Sequence, residues 1–185
     1  MEYKCLNKQI YTIGEFKIAP IRFEDRGIIM KWRNQQMYHL RQNKILTIED
    51  QNLYFENVVK QLFIDNEPKQ LLFSFFEKDK IVGYGGIVHV DWENKNAEIS
   101  FILDTENESQ HFENFWMHFL KLIEEVSFEN LHLHKLYTYA FDLRPKLYNV
   151  LESYFYIKEA ELRDHVFFNN TYINVIIHSK INARK

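Results

Sequence analysis

Glycine is scarce in this chain, and it stops early. All five glycines lie at or before Gly86, so the second half has none. A ligand-holding turn there must do without the backbone freedom that glycine supplies. Cysteine is nearly absent too. The single Cys5 excludes an internal disulfide and a cysteine-based zinc site. No apolar run approaches the roughly 20 residues of a membrane span. The opening residues, MEYKCLNKQIYTIGEF, are too polar for a signal peptide. Basic excess is also missing: 23 Lys and Arg against 26 Asp and Glu leave a net charge of −3, without the footprint of a nucleic-acid binder. These absences point to a cytoplasmic domain that uses neither membrane nor nucleic acid as a partner.

What is present is an ordinary globular composition, 46% hydrophobic and 26% charged, able to bury a real core. Its 185 residues favour a single domain over 1–185. Aromatic residues are plentiful, with 16 Phe and 11 Tyr. They imply a core of large side chains and, as a second reading, an aromatic-lined pocket.

Periodicity gives the order of elements. FKIAPIR (16–22) alternates as a strand, and 23–40 reads as a helix with Ile28, Ile29 and Trp32 on one face. The next helix opens at Thr47, with Asp50 placed for a capping box. QLLFSFFE (70–77), KIVGYGGIVHVDW (80–92) and AEISFILD (97–104) read as three hairpin-linked strands. A helix over about 112–130, a strand over 134–141 and a short helix over 143–155 follow. Pro145 sits in the first turn of that last helix, where its missing N–H costs nothing. Two final strands meet at Asn169-Asn170, a hairpin signal. The order βααβββαβαββ implies a mixed, mostly antiparallel α/β sheet of the α+β type, with one parallel pair and helices on both faces.

Between the strand AEISFIL and the helix WMHFLKLIEEV lies DTENESQHFENF. A strand-to-helix turn of this kind is a common phosphate site, because helix N–H groups point at the ligand. This one has no glycine, no Lys or Arg, and four acids: Asp104, Glu106, Glu108 and Glu113.

The element order and several strings resemble the GNAT N-acetyltransferase family, in the branch similar to ribosomal-protein alanine acetyltransferases and bacterial amino-sugar acetyltransferases. IRFEDRGIIMKWRNQ, KIVGYGGIVHVDWENKNAEISFIL and the closing LESYFYIKEAELRDHVFFNNTYINVIIHSKI carry it over nearly the whole chain. The resemblance implies an acetyl-CoA co-substrate, a small-molecule amine as acceptor and a homodimer as one assembly; no metal is expected, because the sequence nominates no third ligand beside His132 and His134. It implies that backbone around Phe101, Ile102 and Leu103 meets the pantetheine arm. The turn Ser109, Gln110, His111, Phe112 stands where the family grips pyrophosphate, with Ser109 and His111 at its glycine places and Gln110 at its basic place. Arg144 falls on the family's pantetheine-binding Asn. The family's thiolate-protonating Tyr falls on Leu151, which makes Tyr148, one helical turn earlier, the candidate acid.

Amine acylation needs a base, a polarised carbonyl and a proton donor for the leaving thiolate. Glu98 is the candidate base. It alternates with Ala, Ile and Phe on its strand, shares a side with Ser100, and matches a family Glu position. His89 is a second candidate on the neighbouring strand; with Asp91 two residues on, both are expected to point to one face. Trp32, Arg33, Asn34 and Arg41 would wall the acceptor site with Tyr84 and His89. Aromatic rings and arginine suit a nucleotide-linked amino sugar. Tyr84-Gly85-Gly86 marks either a bulge or a close backbone approach. The acidic turn keeps two further readings open: a non-catalytic binding module, and a transferase whose acyl group arrives on a carrier protein.

Overall fold

The computed structural model describes residues 1–183. Eight strands form one sheet in the order β1-β2-β3-β4-β5-β6-β8-β7. These are β1 (Tyr11–Ile13), β2 (Phe16–Pro20), β3 (Leu71–Glu77), β4 (Lys80–Asp91), β5 (Asn96–Leu103), β6 (Lys135–Phe141), β7 (Ile157–Phe168) and β8 (Thr171–Ile181). Every neighbouring pair is antiparallel except β5 and β6, which run parallel. This is the mixed sheet with one parallel step that the pattern implies. The short strand β1 is additional. It folds back on β2 through Gly14, whose φ of 58° suits a tight turn.

Both faces carry helices. On one, α5 (Phe112–Glu124) buries Phe115, Trp116, Phe119, Leu120 and Ile123. Phe119 stacks on Phe101 of β5 at 3.8 Å between ring centres and meets Phe75 of β3 edge-on. On the other, α1 (Arg26–Gln35) is tied down by Arg33 to Tyr84, while Asp25 just before it accepts from Ser74 at 2.6 Å. The helix α2 (Ile48–Tyr54) starts from the expected capping box: Thr47 accepts from the Asp50 N–H, and Asp50 accepts from the Thr47 N–H. A π turn (Phe55–Val59) and the single turn α3 (Lys60–Leu62) continue it. The helix expected over 23–40 is shorter: a 3-10 turn precedes it and another, Met37–His39, follows.

The residues after β5 depart most from expectation. Thr105–Gln110 is a separate short helix, α4, rather than an open turn. Its start follows from Asp104, whose carboxylate accepts from the Asn107 N–H at 2.9 Å and from the Asn107 side chain at 2.6 Å. The last helix, α6 (Pro145–Ser153), has Pro145 in its first turn as expected. At Gly85 and Gly86 the approaching backbone is the protein's own. A Cβ on Gly85 would strike the Ser100 carbonyl, and one on Gly86 the Leu71 carbonyl.

Candidate active site

The parallel step creates the cleft. β5 and β6 pair only at Asn96, Ala97 and Glu98 against Lys135, Leu136 and Tyr137. Beyond that the strands part, and a cavity of about 600 Å³ opens between Ile99–Ile102 on one side and Thr138–Phe141 on the other. Trp116 of α5, Arg144 and Leu147 at the start of α6, and Arg33, His39 and Arg41 complete the lining.

Glu98 sits where the strands begin to part. It is buried, with 4% of its surface exposed. Arg41, from the loop after α1, donates to its carboxylate, and His89 Nε2 lies 3.9 Å from the other oxygen. The Arg41 guanidinium also lies 4.8 Å over the Tyr139 ring. Burial pushes the Glu98 carboxyl above its ordinary pKa, against the opposing pull of Arg41 and then His89. His89 does not share a strand face with Asp91. A bulge between Val88 and Asp91 breaks the alternation, and His89 takes a φ of 50° at the bulge with its side chain largely exposed.

A second chamber of about 250 Å³ lies beside the first, between the helical layer of α1 and α2 and the sheet. Arg33, Gln70, Val88 and Ser100 line both. Tyr84 belongs to this chamber and accepts from Arg33 Nη1 at 2.8 Å. Asn34 is committed elsewhere: its side-chain oxygen accepts from the Leu46 N–H and Gln42, and its nitrogen donates to the Leu46 carbonyl. It fixes the loop that carries Arg41. Trp32 is core, 5% exposed.

Glu108 of α4 is already matched, by Arg144 and by Lys146, whose Nζ lies 3.3 Å from its carboxylate. Arg144 donates to both oxygens of Glu108 at 2.8 and 3.0 Å, and both residues are buried. The Arg144 guanidinium lies over the Phe112 ring at 5.1 Å. Its other end donates to His39 Nδ1 at 3.2 Å. That contact leaves the His39 proton on Nε2, which meets Gln36 Oε1 at 3.2 Å. Gln36 in turn donates to the Leu103 carbonyl at 2.7 Å. Burial, then the Arg144 charge, lowers the His39 pKa to about 3. Leu103 thus has its carbonyl engaged and lies outside the cleft lining, while Phe101 and Ile102 lie within it. Ser109, Gln110, His111 and Phe112 line a shallow groove of about 490 Å³. Lys146 shares that groove, donating to the Glu108 carbonyl at 2.7 Å and lying 4.1 Å over Phe112. No side chain caps the first turn of α5.

Tyr148 stands outside the cleft lining. Its hydroxyl donates to Asp142 at 3.1 Å, and its ring stacks on buried His178 at 5.3 Å. Burial, then the Asp142 charge, raises its pKa strongly. Leu151 is wholly buried. The sequence shows Glu108 only as one of four acids in the turn, four residues after Asp104, without its partner Arg144. Gln36, His39, Gln51 and Lys146 carry no local signal, because their roles depend on tertiary placement.

The cleft contains polar atoms without partners. Trp116 Nε1, Thr138 Oγ1 and Arg144 Nε are buried and form no hydrogen bond among the described residues. All three residues line the cleft. Orphaned groups of this kind are uncommon in folded proteins. They fit an arm bearing amide and hydroxyl groups, such as pantetheine, lying between the separated strands. Among the described residues no cluster of three or more metal-binding side chains occurs, and no helix is long and apolar enough to cross a membrane.

A splayed parallel strand pair inside an otherwise antiparallel sheet, with an acid at the parting point, is the arrangement that the sequence resemblance to acyltransferases implies. The family model described as an acetyltransferase (GNAT) domain matches residues 18–177. The chain belongs to the GNAT family of N-acetyltransferases. Spermidine N-acetyltransferase from Vibrio cholerae, solved in complex with CoA and spermine, superposes with a TM-score of 0.81 at 16% identity, over 92% of this chain and 97% of that one. The ribosomal-protein-S5-alanine acetyltransferase from Vibrio fischeri gives 0.75 at 16% identity, over 96% and 98%. A dodecameric form of the Vibrio cholerae enzyme gives 0.75 at 18%, over 92% and 95%. A search of curated protein sequences finds no match.

Proposed function

We propose that this protein transfers an acetyl group from acetyl-CoA to a small amine, with a nucleotide-linked amino sugar as the acceptor its walls suit best. The observation that carries this reading is the cleft between β5 and β6 with Glu98 held at its throat. Glu98 accepts the proton of the attacking amine, directly or through a water. Its raised pKa makes it a stronger base than a surface carboxylate. Trp116, Thr138 and Arg144 would hold the pantetheine arm with the backbone near Phe101 and Ile102, while Leu103, its carbonyl taken by Gln36, stands outside the cleft. Ser109, Gln110, His111 and Phe112 would meet the pyrophosphate, with Lys146 supplying the cation that the turn itself lacks and the uncapped first turn of α5 supplying N–H groups. Tyr148, kept protonated by its surroundings, is the candidate donor to the leaving thiolate and needs a rotation away from Asp142 to reach it. Arg33, Arg41, Tyr84 and His89 face the acceptor, while Trp32 and Asn34 hold the helix and loop behind them. The reading takes the protein to be cytoplasmic, with a homodimer as the assembly to look for.

Isothermal titration with acetyl-CoA, and with dephospho-CoA beside it, tests this. Micromolar binding of acetyl-CoA is the expected result. No binding at millimolar ligand would sink the acetyl-CoA reading and shift weight to a donor carried on a protein.

A further inference from the structure

The chamber beside the cleft holds a cation with no carboxylate to match it. Arg33 is partly buried and donates to a phenol hydroxyl, Tyr84 at 2.8 Å, and to a carboxamide, Gln42 at 3.0 Å. Its Nη2 makes no hydrogen bond among the described residues, and none of their carboxylates lies within ion-pair distance. The other two arginines of the cleft are matched, Arg41 with Glu98 and Arg144 with Glu108. The acids that line the two cavities are also taken: Glu98 by Arg41, and Asp50 by Lys44 and the Thr47 N–H. Beside Arg33, Gln51 is only 3% exposed and lines the same chamber, and its side-chain amide has no hydrogen-bond partner among the described residues. Withdrawing a guanidinium from water without an opposite charge is unfavourable, and an amide with no protein partner on the chamber wall is free to bond a ligand there. One bound anion answers both, because a guanidinium edge matches a carboxylate or phosphate with two parallel hydrogen bonds.

We infer that this chamber recognises an anionic group, a carboxylate or a phosphate, carried by the acceptor amine. Arg33 binds the anion and Gln51 adds an amide donor. The inference rests on the acetyltransferase reading and narrows its substrate class. The chamber's volume of about 250 Å³ suits one such group with a few attached atoms. Ser100 lines both cavities and lies two residues from Glu98 on the same strand face, about 7 Å along β5. An acceptor with its anion on Arg33 and its amine at Glu98 therefore carries the two groups several bonds apart. A polycationic amine would set its own charges against Arg33.

The test compares amines matched except for the anion, using the full chain. Glucosamine 6-phosphate against glucosamine probes phosphate; 5-aminovalerate against 1-aminopentane probes carboxylate; spermidine is the polycation. Thermal-shift binding without acetyl-CoA is read first, then kcat/KM with it. Tighter binding and at least tenfold higher kcat/KM for one anionic member is expected, and which pair responds identifies the anion. Arg33→Gln should abolish that preference while leaving acetyl-CoA binding unchanged, and Arg33→Lys should restore part of it. Tyr84→Phe, which removes only a hydroxyl, should keep the preference. Equal binding within both pairs, or a preference for spermidine, overturns the anion site. Failure to bind acetyl-CoA overturns the transferase reading instead, and the anion-dependent thermal shift still decides the chamber separately.

Discussion

At the scale of single residues, the chemistry turns on how Glu98 is charged. Burial favours its neutral form, and Arg41 pulls the other way. A base works only when deprotonated, so activity should rise with pH through the elevated Glu98 pKa. Glu98→Gln removes the base and should lower kcat by about 100-fold or more, with acetyl-CoA binding unchanged. Full activity in that variant would remove Glu98 from the mechanism. Arg41→Met removes the charge that holds Glu98 ionised, so the acid limb of the kcat/KM profile should move to higher pH. An unmoved limb would mean that Glu98 does not govern it. Glu98 was legible in the sequence because a lone acid among Ala, Ile and Phe on a buried strand needs a reason. Arg41 was legible only as a wall residue. Its pairing with a strand 57 positions away along the chain depends on the loop that Asn34 fixes.

At the scale of elements, α4 explains how a glycine-free acidic turn is tolerated. Its acids have structural work: Asp104 caps the helix, and Glu108 neutralises Arg144. Asp104→Ala should cost about 1 kcal/mol, the usual worth of such a cap. That corresponds to a Tm lower by roughly 2–4 °C in a chain of this size. Glu108→Ala should cost more, about 3 kcal/mol, because it leaves a buried guanidinium unpaired. Calorimetry on the two variants separates the cases, and equal losses would show that Arg144 finds another partner. The order and type of the long elements were legible, since their periodicity was strong and the parallel step followed from strand–helix–strand order. The short ones were not. β1 has three residues and exists by pairing with β2, and α4 was hidden because TENESQ carries no apolar stripe, only the cap signal of Asp104.

At the scale of the whole molecule, one chain of hydrogen bonds joins parts remote in sequence. It runs from Glu108 on α4 through Arg144 before α6 to His39 and Gln36 after α1, and ends on the Leu103 carbonyl at the end of β5. It therefore ties the helical layer to the mouth of the cleft from both sides. His39 takes part only as the neutral ring, since Arg144 donates to it. Its folded pKa of about 3 lies below that of an unfolded His, about 6.5. Between those values the unfolded chain binds the extra proton and the folded one does not. Stability from this group is therefore complete above about pH 6.5 and is lost as pH falls, by up to about 1.4 kcal/mol per pH unit. His178, lowered mainly by burial, acts in the same direction, whereas Glu98 and Glu124, raised by burial, act against it. The difference between the parent and His39→Gln isolates the single group, because every other shifted group, the lowered carboxylates Asp50, Asp79, Asp91, Glu159 and Glu161 among them, is common to both. Denaturant unfolding at pH 7.0 and 5.0 should show the parent losing more stability than the variant across that interval. Parallel losses would mean that His39 takes up its proton in the folded chain as readily as in the unfolded one, so that Arg144 does not hold the ring neutral and the network is not the element that holds the cleft together.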